Sequence, residues 1–136
     1  MEILANYIDG KYVQPVSGNY INVYEPATGQ IYAKAPDSNS ADIDDAVQSA
    51  TAAFETWSNI SRNERSKILH EIANGIESRL DEFAEYESRD TGKPLELAKS
   101  VDIPRAVTNF RFFADHALEF ETESILELSL RHSRRC

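Results

Sequence analysis

The 136-residue chain contains one cysteine, one tryptophan, three histidines and five glycines, and each scarcity closes off a class of chemistry. Cys136 is the single cysteine and the last residue; having no second thiol, it excludes an intrachain disulfide framework and fits a reducing compartment. Nor does any following turn exist to hold that thiol beside a base or an oxyanion hole. A dinucleotide fingerprint or a phosphate loop needs closely spaced glycines, so that backbone N–H groups can approach phosphate; Gly10, Gly18, Gly29, Gly75 and Gly92 stand far from one another. His70, His116 and His132 are too scattered for a local zinc motif, and His132 with Cys136 is one isolated pair. No apolar run approaches the roughly 18 residues that span a bilayer, and Met1-Glu2-Ile3-Leu4 lacks the basic start and apolar core of a signal peptide. A cytoplasmic protein with no membrane partner is expected. Positive charge is also short. Lys and Arg number 14 against 23 Asp and Glu, a net charge of -9, which repels a phosphate backbone. Only Arg131, Arg134 and Arg135 cluster, so no nucleic-acid partner is expected.

The remaining composition is ordinary for a globular protein, 41% hydrophobic and 27% charged. The length allows one domain and leaves little room for a second, and a compact monomer of this size buries about two thirds of its extended-chain surface. The first third reads as strands. Asn6-Tyr7-Ile8 and Lys11-Tyr12-Val13 flank Asp9-Gly10, a pair that tolerates the positive backbone angles of a tight hairpin turn. Tyr20 to Tyr24 and Gln30 to Lys34 flank Glu25-Pro26-Ala27-Thr28-Gly29, which predicts a second hairpin. Ser40 is the predicted N-cap of a first helix, with Asp42, Asp44 and Asp45 in its opening turn.

From there the period becomes helical. Ile43, Val47, Ala50, Phe54 and Trp57 recur at helical spacing on one face. Ser61-Arg62-Asn63-Glu64 is a capping box, and the helix it opens carries Leu69, Ile72, Ile76, Leu80 and Phe83 before Gly92 and Pro94 end it. A third helix from about Leu95 carries Val101, Val107, Phe110, Phe113, Ala114 and Ala117, with a kink or a new first turn expected at Pro104. The sequon Asn59-Ile60-Ser61 reads as a helix connection. After Phe120 the pattern weakens, and an acidic stretch switches abruptly to Arg131-His132-Ser133-Arg134-Arg135-Cys136.

The chain shows no internal repeat, but several distinct segments stand in a specific order. Tyr7-Ile8-Asp9-Gly10-Lys11, Glu25-Pro26-Ala27-Thr28-Gly29, the helix Asp42 to Trp57, Asn63-Glu64-Arg65 with Leu69, Glu87-Ser88-Arg89-Asp90-Thr91-Gly92-Lys93-Pro94 and Asn109-Phe110-Arg111-Phe112-Phe113-Ala114 follow one another without large gaps. From about Asn6 to about Leu118 this series resembles the N-terminal region of the aldehyde dehydrogenase superfamily. Asp102-Ile103-Pro104-Arg105 is similar to the branch acting on 2-aminomuconic and 2-hydroxymuconic semialdehydes.

The resemblance implies an NAD-linked, homo-oligomeric enzyme that takes a small aldehyde as a thiohemiacetal on a cysteine, passes hydride to nicotinamide, and hydrolyses the thioester with help from a glutamate. It also implies a chain several times longer. The family's Pro-Trp-Asn segment, whose asparagine serves the oxyanion hole, is absent, since Trp57 on the first helix is the only tryptophan. The cofactor loop, the nucleophilic cysteine and the general-base glutamate are expected to be absent too. The expected fold is therefore a piece of an α/β superfamily: β-hairpins followed by three amphipathic helices, locally α+β, without the parallel nucleotide-binding sheet. Residues 1–120 form the N-terminal segment and 121–136 a divergent, disordered tail, as in a truncated product. No catalytic residue and no NAD site is expected in this chain. The resemblance places a monovalent cation near Val23, Tyr24 and Asp90, where a carboxylate and carbonyls suit a hard ion, and turns Val101 and Arg105 toward the substrate channel. The rival is a stand-alone helical module for interaction or oligomerisation, using the apolar surface that three helices without a sheet leave open.

Overall fold

The computed structural model describes residues 1–119, so the expected tail, 121–136, lies outside the described residues. Five strands, β1 (Glu2–Ile3), β2 (Asn6–Ile8), β3 (Lys11–Val13), β4 (Tyr20–Glu25) and β5 (Gln30–Pro36), precede the helices. These are α1 (Ser40–Trp57), α2 (Arg62–Ser78), α3 (Leu80–Thr91), the short α4 (Leu95–Leu97), a π-helical segment (Ala98–Asp102) and α5 (Ile103–Glu119).

Both hairpins form where the sequence places them. Asp9 and Gly10 adopt φ of 53° and 73°, which matches the right-handed twist of the flanking strands, and Tyr7 faces Tyr12 across the pair with ring centroids 5.2 Å apart. β4 and β5 pair antiparallel, and β1 adds to β5 in parallel, giving the order β1-β5-β4. β1 carries no strand signal of its own. Its two residues are held by the ladder, which Leu4 extends by donating to the Lys34 carbonyl at 2.9 Å.

The first helix begins one residue earlier than expected. Asn39, not Ser40, is the N-cap: its side chain accepts from the Ala41 and Asp42 amides, and the Asp42 carboxylate accepts from the Asn39 amide at 2.9 Å. An acid three residues after Asn39 completes a reciprocal box, which Ser40 has no partner to form. The other Asp42 oxygen accepts from the Val16 amide at 2.9 Å, so this carboxylate, 4% exposed, ties the helix start to the segment after the first hairpin.

The expected second helix is two helices. Its apolar period runs unbroken, yet Arg79 adopts φ -118° and ψ 28°, ending α2 and starting α3. Neither glycine nor proline marks the break. The Arg79 guanidinium holds the corner by bonding Glu82 and lying 5.3 Å over the Phe83 ring. The third predicted helix contains the π segment, closed by the Ile103 amide donating to the Ala98 carbonyl. Pro104 supplies the reason, because its ring has no N–H and would strike the carbonyl four residues back; one wider turn moves that carbonyl aside before α5 starts anew.

The core lies among these later helices. Ala84, Ala98 and Ile103 bring α3, the π segment and α5 together, with Ile76, Leu80, Phe83 and Leu95 against them. α2 and α5 run antiparallel, with Ser66, Ala73, Val107 and Ala114 buried and charged ties along the rim: His70 to Asp115 at 2.8 Å and Arg111 to Glu77 at 2.6 Å. No large side chain is fully buried among the described residues. The predicted stripe of α1 exists but is uncovered, Ile43, Val47 and Phe54 being 59%, 57% and 63% exposed.

Candidate functional site

The ends of β4, β5 and α3 meet at one corner. The β4–β5 register shifts between Val23 and Tyr24, leaving Tyr32 as the additional residue of a bulge, a device that bends a strand and re-aims a side chain. The Tyr32 hydroxyl donates to Asp90 Oδ1 at 2.7 Å, and its ring lies 4.4 Å from the Arg89 guanidinium, which pairs with Glu25 at 3.8 Å. That hydrogen bond, with burial adding to it, pushes the Tyr32 phenol up to about 12. Gly92, the left-handed C-cap of α3, completes the corner. A side chain there would meet the Pro26 Cβ at 3.0 Å, so the Pro-Ala-Thr-Gly and Asp-Thr-Gly-Lys segments are in contact. Of the expected cation residues, Val23 is half-buried and Tyr24 and Asp90 are exposed. Among the described residues no three His, Cys, Asp or Glu side chains converge on a metal position, and one oxygen of Asp90 already serves Tyr32. A cleft of about 360 Å³ opens beside it, walled by Tyr32, Phe83, Tyr86 and Asp90.

The second expected pair is divided between environments. Val101, in the π segment, is half-buried; Arg105, in the first turn of α5, is exposed. The Arg105 side chain makes no ion pair or hydrogen bond among the described residues. Its neighbour Asp102 is engaged by Lys93, whose ammonium donates to Asp102 Oδ2 at 2.7 Å and to Glu87 Oε1 at 3.1 Å. The Asp102 bond, then the Glu87 bond, hold the Lys93 ammonium above its ordinary pKa. A parallel tie from Lys99 to Asp81 at 2.8 Å fastens the π segment to the start of α3.

Sequence reasoning singled out Asp90 and Arg105 but missed Tyr32, Arg89 and Lys93. The Asp-Thr-Gly-Lys-Pro motif contains Lys93, yet its partner Asp102 is nine residues on, beyond α4 and at the end of the π segment, whose path only the fold sets. A groove between the first hairpin and α1, lined by Tyr7, Ile8, Asp42, Ile43, Val47 and Ala50, was likewise not foreseen.

Residues 12–135 match the aldehyde dehydrogenase family. The human 2-aminomuconic semialdehyde dehydrogenase is 47% identical over 121 residues, 89% of this chain and 24% of that protein. The 2-hydroxymuconic semialdehyde dehydrogenase of Pseudomonas sp. strain CF600 is 42% identical over 91% of this chain and 26% of its own length. Among solved structures, PnpE from Pseudomonas sp. WBC-3 superimposes with a TM-score of 0.85 at 36% identity, covering 89% of this chain and 25% of that one. A PnpE structure in complex with nicotinamide adenine dinucleotide matches with the same TM-score. The chain thus spans about a quarter of the length of the relatives it matches.

Proposed function

Since the chain belongs to the aldehyde dehydrogenase family, we propose that it is an N-terminal portion of an NAD-dependent semialdehyde dehydrogenase, with Arg105 receiving the carboxylate of an anionic aldehyde. The observation that carries this is the 42–47% identity to two muconic semialdehyde dehydrogenases across about nine tenths of the chain. The exposed guanidinium at the head of α5, without a partner among the described residues, supports the same reading. An arginine facing an apolar passage is costly unless an anion meets it, and its planar fork can hold a carboxylate through two hydrogen bonds. Val101, nearby on the π segment, supplies an apolar wall to the same passage.

In this reading NAD is held outside the described residues. Gly10, Gly18, Gly29 and Gly92 each take positive φ at separate turns, and Gly75 lies inside α2, so none opens a helix toward a pyrophosphate. Cofactor binding, hydride transfer and the attacking cysteine are assigned to the remainder of the enzyme, and the 136-residue chain by itself is read as inactive. A monovalent cation, if held near Val23, Tyr24 and Asp90, needs ligands from that remainder as well. Homo-oligomerisation is likewise assigned to the complete enzyme.

The test joins this chain to the remaining three quarters of a 2-hydroxymuconic semialdehyde dehydrogenase. NADH production is then measured with a carboxylate-bearing semialdehyde and a neutral aliphatic aldehyde. The 136-residue chain alone gives none. In the joined enzyme Arg105→Ala lowers kcat/KM for the anionic substrate by about 2–3 kcal/mol and spares the neutral one. Equal losses on both would reduce Arg105 to a support of α5.

A further inference from the structure

Asp102 and Arg105 stand three residues apart, a spacing at which opposite charges on a helix pair readily. They do not pair here. Asp102 is taken by Lys93, and Lys93 is itself tightly placed: its carbonyl accepts from the Ser88 hydroxyl at 2.6 Å and its amide donates to the Thr91 hydroxyl at 3.3 Å. The backbone before it turns at Gly92 with φ 74°. The three charged side chains are only 25–34% exposed, so solvent and salt screen them less than they screen surface pairs. One ammonium thereby bridges two carboxylates, Glu87 and Asp102, beside the start of α5 and offsets half of their charge.

We propose that Lys93 is a positioning residue for carboxylate recognition: by holding Asp102 it leaves the Arg105 guanidinium free to receive a substrate carboxylate. This rests on the reading of Arg105 given above. Without the ammonium, Asp102 is released to bond Arg105 internally, and a substrate anion must first displace it. Glu87 and Asp102 also become an uncompensated negative pair on the approach to Arg105, which repels the same anion. A neutral aldehyde feels neither effect.

In the joined enzyme, Lys93→Met raises KM for the carboxylate-bearing semialdehyde about tenfold, the scale of one charged hydrogen bond, with kcat and the neutral aldehyde's KM within about twofold. Removing the competing charge as well, in Lys93→Met with Asp102→Asn, returns KM to near the parent value. Lys93→Arg, which keeps the cation, preserves selectivity. A KM that rises equally on both substrates, or a double variant no better than Lys93→Met, overturns the proposal and leaves Lys93 a purely structural tie. If Arg105→Ala proves unselective, the Arg105 reading fails separately. The charge partition is then read in the 136-residue chain by NMR: slower exchange of the Arg105 Nε–H in Lys93→Met than in the parent supports the release of Asp102 to Arg105. Unchanged exchange overturns it.

Discussion

The Tyr32 hydroxyl donates to Asp90 while its ring lies against Arg89, so one side chain joins the sheet to the C-terminal end of α3. Because the bond favours the neutral phenol, Tyr32 ionises late. The folded value, about 12 against an ordinary 10.0, means that the stabilisation is fully present below pH 10 and is lost as pH rises through 12. Ultraviolet titration should show one phenol ionising near 12. Asp90→Asn should bring it back toward 10, and Tyr32→Phe should remove the late step; an unchanged titration in Asp90→Asn would mean that Asp90 does not hold Tyr32. At this scale the sequence was readable where one residue's own conformation decides the outcome. Asp9-Gly10 had to be a hairpin turn and Gly92 had to end a helix. It was not readable where the partner is distant: nothing in the sequence couples Tyr32 to Asp90, 58 positions on, or Lys93 to Asp102.

Two elements with similar caps stand in different surroundings. α1 begins with the Asn39–Asp42 box and α2 with the Ser61–Glu64 box; hydrogen bonds from the Ser61 amide and hydroxyl hold the Glu64 carboxyl below its ordinary pKa. Losing an N-cap costs about 1 kcal/mol, but the cost appears where the helix is coupled to the core. Ser61→Ala should lower the urea midpoint of the chain, because α2 packs along α5. Asn39→Ala should instead reduce helical circular dichroism with little change in that midpoint, because the apolar face of α1 is uncovered and its first turn frays locally. Circular dichroism across a urea titration separates the two, and equal midpoint shifts would show α1 to be part of the cooperative unit. Element identity was legible from period and caps. Element boundaries were not: the apolar run continues through Arg79, which bonds Glu82 and contacts Phe83 at the break, and the sequence left open at Pro104 a choice between kink and new turn that the structure resolves as a π segment followed by α5.

For the whole molecule, the distribution of burial matters more than its amount. Ala33, Ala73, Ala84, Ala98 and Ala114 are fully buried, while Ile43, Val47, Phe54, Phe112 and Phe113 are more than half exposed. Burying a side chain of the larger kind is worth about 1.5–3 kcal/mol, so the uncovered faces leave much of the available stabilisation unrealised. The strands-then-helices order and the family were readable from the sequence because ordered motifs survive in any part of a fold. Which apolar faces stay open was not, since periodicity marks a face without saying what covers it. The relatives, about four times longer, contain the chain length to cover them, and a portion of a larger enzyme is the reading that fits. A self-sufficient interaction module would instead have a cooperative core that includes α1. Hydrogen exchange of the 136-residue chain, resolved by segment, separates these readings. Slow exchange confined to α2, α3, the π segment and α5, with α1 and the first hairpin exchanging orders of magnitude faster, is the pattern expected of the enzyme portion; uniform slow exchange that includes α1 would contradict it.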